Sequence, residues 1–209
     1  RNIGEALWEK RFNKNILFEK SKAMGEYWFN SLYQQRPQPA SGGIFKRKYF
    51  RYFEQTENHF ILTQGENERL IEIKSCKFFI TVDLAISLAT NADYTVLLVA
   101  AITNNNEIIV VDIIRKRVEA NEHIEILKDI YMRYKPILIG IESVQYQSAL
   151  IKNAASIGIP VKELKPDADK FTRALPMAAK IELGQVYFKK NANWLSDFEN
   201  ELITFPRAK

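Results

Sequence analysis

The chain has one cysteine, Cys76, and only two histidines, His59 and His123. A single thiol excludes an intrachain disulfide framework and any paired-cysteine zinc site, and two isolated imidazoles leave little for a soft-metal cluster. Any metal bound here is expected to be hard and oxygen-liking. Also absent is a Gly-x-x-x-x-Gly-Lys-Ser/Thr phosphate loop, so ATP hydrolysis is not encoded in these residues. No apolar run approaches the roughly 20 residues of a membrane-spanning helix. The opening Arg1-Asn2-Ile3-Gly4 has neither a secretory pattern nor an initiator methionine. The expectation is a soluble fragment of cytoplasmic type, with no membrane partner.

What is present is 209 residues at 46% hydrophobic, enough for one substantial core and a smaller appendage. The formal net charge of +5 and sequence pI near 9.1 suit a polyanionic partner, although charge alone is a weak pointer.

Two regions read differently. In residues 1–56, Met24, Tyr27, Trp28 and Leu32 recur at helical spacing, Pro37 and Pro39 stop the pattern, and Gly42-Gly43 marks a loop. From Phe45 to Phe53, Lys46, Arg47, Lys48 and Arg51 alternate with aromatic rings. Such interleaving can set cations on phosphates and rings on bases, but rings turned inward and lysines outward is the commoner outcome. Residues 57–209 alternate strands and helices. His59–Thr63 and Leu70–Ile73 are short strand candidates. The runs Phe78–Val82, Thr95–Ile102 and Ile108–Ile114 are stronger, joined by connections too short for crossover helices, so they are expected to form an antiparallel meander. Ala120, Ile124, Leu127, Tyr131 and Tyr134 then recur at helical spacing up to Pro136, and Ile137–Ile141 is a buried strand, which implies a parallel crossover. A helix from about Gln145 to Ser156, a strand Val161–Leu164 and a late amphipathic helix Trp194–Leu202 complete the pattern. This is an α/β order of three antiparallel strands and then parallel ones, flanked by helices, as in a ribonuclease H-like mixed sheet.

Within that order two carboxylates stand out. Asp83 follows the run Phe78-Phe79-Ile80-Thr81-Val82, and Glu142 follows Ile137-Leu138-Ile139-Gly140-Ile141. A carboxylate ending an apolar strand faces a desolvation cost unless something compensates it. In a sheet of this order the first and fourth strands are adjacent and parallel, which brings both acids to one carboxyl edge. Two anions there call for magnesium or manganese, best as two ions roughly 3.5–4 Å apart. The plain alternative is that Asp83 caps a turn and Glu142 caps the following helix. Asp93 and Asp112 are explained by turn chemistry or a surface pair. Asp197, Glu199 and Glu201 read as solvated acids on an amphipathic face, and His123 as a solvent-facing neighbour of apolar helix positions. Lys170 and Arg173, three residues apart, would share a helix face. They are candidates for phosphate contacts or for balancing the carboxylates, with Pro176 limiting the regularity of that helix.

Several strings together resemble the carboxy-terminal part of the large terminase subunit of tailed bacteriophages. They are Leu32-Tyr33-Gln34-Gln35-Arg36-Pro37, Gly43-Ile44-Phe45-Lys46, Val82-Asp83-Leu84-Ala85 with Asp93-Tyr94-Thr95, Ile141-Glu142-Ser143, Asp169-Lys170-Phe171-Thr172-Arg173-Ala174 and Gly184-Gln185-Val186-Tyr187-Phe188. The resemblance implies that residues 1–56 are the tail of an ATPase domain and its linker, and that residues 57–209 are a ribonuclease H-like nuclease, truncated at its C-terminal end. It implies that Asp83 and Glu142 are metal ligands, with a third carboxylate beyond Lys209, after Phe205-Pro206-Arg207-Ala208-Lys209. The implied activity is endonucleolytic cutting of concatemeric double-stranded DNA at initiation and completion of viral packaging. Implied partners are the ATPase domain of the same chain, the portal protein and the small terminase subunit, in the host cytoplasm and docked on the procapsid portal. Another ribonuclease H-like nuclease such as a junction resolvase, or a non-catalytic portal or motor docking module, are the competing readings.

Overall fold

The computed structural model describes residues 6–33, 43–65, 67–84, 94–119, 122–142 and 148–206, apart from the side chains of residues 25–28, 30 and 31. The chain divides into two compact units. One comprises Arg1–Phe50, Ala168–Gln185 and Ser196–Lys209, the other Arg51–Asp167 and Val186–Leu195.

The larger unit is built on a nine-stranded sheet: β1 (Arg51–Gln55), β2 (His59–Gln64), β3 (Asn67–Glu72), β4 (Lys77–Asp83), β5 (Thr95–Ile102), β6 (Ile108–Lys116), β7 (Leu138–Glu142), β8 (Val161–Leu164) and β9 (Val186–Lys189). Their order is β3-β2-β1-β9-β6-β5-β4-β7-β8. The expected meander is present, with β4–β5 and β5–β6 antiparallel. Helix α2 (His123–Tyr134) then carries the chain back to β7, parallel to β4, and α3 (Ser148–Ser156) leads to β8, parallel to β7. Arg51–Gln55, just before the expected boundary at residue 56, is a sheet strand, pairing antiparallel with β2 and parallel with β9. Only Phe53 of its five residues is fully buried, so its pattern carried little strand signal.

One face of the sheet makes the core. Ile80, Val82, Leu97, Val99, Ala101, Ile139 and Ile141 alternate inward and pack with Leu127 and Ile130 of α2 and Ala154 of α3. Each of the larger side chains contributes about 1.5–3 kcal/mol on burial, which is what holds the helices on that face. Helix α2 ends at Lys135, in the left-handed region at φ 45, whose N–H donates to the Tyr131 carbonyl at 2.8 Å; Pro136 follows.

A β-bulge interrupts β5–β6. Ala100 pairs with Val110 and Val99 with Asp112, so Val111 is the extra residue. The shift turns Asp112 to the helix-covered face. There it accepts hydrogen bonds from the Tyr134 hydroxyl at 3.0 Å and from Trp194 Nε1 at 3.1 Å. Asp112 is therefore a partly buried anchor, where turn chemistry or a surface pair was expected. Burial, then the Asp112 charge, pushes the Tyr134 phenol up to about 12.

In the smaller unit, α1 (Lys14–Leu32) is capped by Asn13, whose side chain accepts from the Ile16 N–H. It ends at Tyr33, ahead of Pro37 and Pro39, which lie outside the described residues. It packs against α4 (Lys170–Glu182). Phe45 and Phe50 are buried while Arg47 and Lys48 stay exposed, which is the inward-ring arrangement. Within α5 (Leu195–Thr204), Asp197 and Glu201 are exposed as expected, but Glu199 is only 6% exposed and pairs with Arg47 at 3.3 Å. The solvated-face reading fails for Glu199 because Arg47, 152 residues earlier in the chain, lies against it, a pairing that helical spacing does not reveal.

Among the described residues no helix is long and apolar enough to cross a membrane.

Candidate active site

Asp83 is the last residue of β4 and Glu142 the last of β7. The register runs Phe79↔Leu138, Ile80↔Ile139, Thr81↔Gly140 and Val82↔Ile141, so the next step along the two parallel strands sets Asp83 beside Glu142. Neighbouring strands lie about 4.8 Å apart. Residues in register share a face, and alternation puts this pair on the face opposite Val82 and Ile141. The burial pattern agrees: Val82 and Ile141 are buried, Asp83 is exposed and Glu142 half-buried. Both acids thus stand at the carboxyl edge, clear of the apolar core and within reach of a ligand. Residues 59 positions apart in sequence are joined by one crossover.

The same face is furnished from the flanking strands. Asp83 pairs with Val96, which pairs with Arg115; on the other side Glu142 pairs with Leu164. Gly140 has no room for a side chain unless Leu164 moves, since a Cβ there would stand 2.6 Å from Leu164 Cδ1. Leu164 lies over that glycine, next to the half-buried carboxylate. Among the described residues the two acids at this edge offer carboxylate oxygens, the donors that hard divalent cations take. Among the described residues no group of three or more ligating side chains is assembled, so within that set Asp83 and Glu142 are a two-carboxylate arrangement. Cys76, the one soft donor, lies ahead of the other end of β4, and burial pushes its thiol up.

His123 is not solvent-facing as expected. It is 7% exposed, with Nε2 3.3 Å from Thr95 Oγ1, and burial pulls its imidazole below the ordinary value. Helical spacing alone did not reveal that the first turn of α2 faces the start of β5. Asp93 lies outside the described residues.

Lys170 and Arg173 sit in the first turn of α4, in the smaller unit, and both are exposed. Asp169 caps that turn, accepting from the Thr172 N–H at 3.0 Å and its hydroxyl at 2.6 Å, which holds its carboxyl below the usual range. The helix continues through Pro176. Tyr94, Arg115 and Arg117, where two guanidinium groups lie over one ring, were not singled out by sequence reasoning. The available signal was three consecutive cations closing an apolar strand.

A sequence model described as the terminase RNaseH-like domain matches residues 80–209. No curated protein sequence matches the chain. Among solved structures, the large terminase nuclease of thermophilic phage G20c with bound magnesium aligns at 15% identity and TM-score 0.52, covering 79% of this chain and 82% of that one. The same nuclease with bound cobalt aligns at 16% identity and TM-score 0.54, covering 80% and 82%. The large terminase of another thermophilic bacteriophage, in complex with ATP-gamma-S, aligns at 12% identity and TM-score 0.62, covering 92% of this chain and 44% of that one. At these identities the structural likeness is one of fold, and this chain spans less than half of the protein that holds ATP-gamma-S. With a family match over more than half its length and this sheet beneath it, the chain belongs to the terminase RNase H-like domain family, and its fold is the one seen in the solved terminase nucleases.

Proposed function

We propose that the chain hydrolyses phosphodiester bonds of double-stranded DNA, with Asp83 and Glu142 as ligands of magnesium or manganese. The observation that supports this is the in-register ending of β4 and β7, which sets two carboxylates side by side on the accessible face. When bound, a hard divalent cation stabilises charge developing on the phosphate and acidifies water. The residues do the rest. Asp83 and Glu142 supply anionic oxygens, and the buried Val82–Ile141 pair beneath fixes their spacing. A two-ion site would take its third carboxylate beyond Lys209. Lys170 and Arg173 are proposed as phosphate contacts or charge-balancing groups, and binding through phosphates would be salt-sensitive and weakly sequence-dependent.

In the full-length protein this activity would cut concatemeric viral DNA at initiation and completion of packaging. It would act in the host cytoplasm on the procapsid portal, with the portal protein and small terminase subunit as partners. Residues 1–56 are proposed as the tail and linker of an ATPase domain; the longer thermophilic-phage terminase crystallised with ATP-gamma-S supports that view.

The test is cleavage of plasmid and linear duplex with magnesium or manganese by the parent, Asp83→Asn and Glu142→Gln, alongside thermal melting with and without manganese. Both variants are expected to lose cutting and any stabilisation by manganese. Undiminished cutting by both would overturn the proposal, and a preference for branched DNA would move it to a junction resolvase.

A further inference from the structure

The face that carries Asp83 continues across β5 to the end of β6. Val96 is in register with both Asp83 and Arg115, and because Thr95 pairs with Lys116, Tyr94 stands one step on, opposite Arg117. The Arg115 guanidinium carbon is 4.1 Å from the Tyr94 ring centroid and that of Arg117 is 4.7 Å. All three residues are exposed, as is Lys116. Among the described residues none of the ion pairs involves Arg115, Lys116 or Arg117.

The bulge decides which way these side chains point. Had Val111 paired regularly with Val99, the register that begins at Ile102↔Ile108 would have paired Thr95 with Arg115, and both arginines would have turned to the helix-covered face. One inserted residue reverses the facing of all that follows in a strand. Here it moves Arg115 and Arg117 to the carboxylate side. Two like charges gathered on one ring repel each other, the ring offsets this only in part, and no described acid neutralises them. An anion would. Guanidinium forks suit phosphate oxygens, and a ring beneath them reduces the ordering cost of binding.

We propose that Tyr94, Arg115 and Arg117 form a phosphate-binding cluster that seats the DNA strand beside the carboxylate pair. The proposal rests on the reading of Asp83 and Glu142 as the hydrolytic site and supplies the contact that orients its substrate. Two strand spacings, roughly 10 Å, separate the β6 end from Asp83, while the phosphates of one strand advance about 3.4 Å each along the duplex axis. The cluster would therefore hold phosphates a few nucleotides from the scissile bond.

The experiment measures binding of the whole chain to a linear duplex oligonucleotide without metal, by fluorescence anisotropy over a salt series, in the Asp83→Asn background. Arg115→Gln with Arg117→Gln is expected to weaken binding about tenfold or more, and to reduce the slope of log affinity against log salt by about 0.9 per lost contact. The lysine pair Arg115→Lys with Arg117→Lys should keep the slope with part of the affinity. Tyr94→Phe should bind as the parent and Tyr94→Leu more weakly. Lys74→Gln with Lys77→Gln, an equal loss of two charges at the opposite end of β4, is the control and should leave the slope unchanged. Melting curves identify any variant that fails to fold, and the lysine pair then carries the test. No measurable duplex binding by the parent background overturns the proposal, as does a glutamine pair with parental slope and affinity. If Asp83→Asn and Glu142→Gln both cut undiminished, the hydrolytic reading fails whatever the arginines do; if both are inactive while the glutamine pair, made without them, cuts and binds normally, only the cluster fails.

Discussion

Val82 and Ile141 lie in register across parallel β4 and β7, both buried, and this pairing places Asp83 beside Glu142. The apolar pair is the foundation of the acidic one. Truncating Ile141 to Ala is expected to cost about 2–5 kcal/mol, and to Val about 0.5–1.5 kcal/mol, read by chemical denaturation. The Val variant should keep the parental response to manganese, since it removes no donor. A near-neutral Ile141→Ala would show that β7 is not the buried strand described.

Asp112 accepts from both Tyr134 and Trp194. An amide at that position retains one acceptor oxygen, whereas alanine leaves two donors unanswered. Asp112→Asn should cost about 1–2 kcal/mol and Asp112→Ala more, about 2–3 kcal/mol. Equal costs for the two would mean the hydrogen bonds are not what the site contributes.

His123 should give the protein a pH-dependent stability. Burial lowers its folded pKa below the ordinary 6.5, with Glu122 opposing weakly. As pH falls, the unfolded chain therefore takes up the proton first. The contribution is intact above about pH 6.5 and is lost progressively as pH drops through the interval below it. His123→Gln should flatten that part of a stability-versus-pH curve; a slope identical to the parent's would show that His123 is not the group responsible.

Lys135 adopts a left-handed conformation at φ 45 and is exposed. Relief of the Cβ clash, offset by the greater freedom of an unfolded glycine, should make Lys135→Gly more stable by about 0.5–1 kcal/mol. Thermal melting checks this, and a lower melting temperature would contradict it.

The strands that carry the carboxylates were legible because each is a run of apolar, often β-branched residues bounded by polar turns, and that pattern survives any arrangement of its neighbours. Arg51–Gln55 was not, since Arg51, Glu54 and Gln55 show no such pattern and a single Phe53 marks its buried face. Nor was the place of β9, which sits between β1 and β6; local pattern says that a segment is extended, but not which edge it joins. Glu199 and His123 were misread for one reason. Helical spacing predicts which residues share a face, but not which face another part of the chain will cover.

Residue type and short-range periodicity were enough for the α/β order, for the scarcity of soft metal donors and for singling out Asp83 and Glu142 as carboxylates that close apolar strands. Tertiary structure alone decided that Asp83 and Glu142 are neighbours in register, and that Asp112 turns to the helices while Arg115 and Arg117 turn to the acids. Those outcomes rest on strand pairing and on one extra residue, Val111, opposite Val99 and Ala100. Side chains in a strand alternate with period two, so a slip of one residue exchanges the faces, and only the partner strand records it.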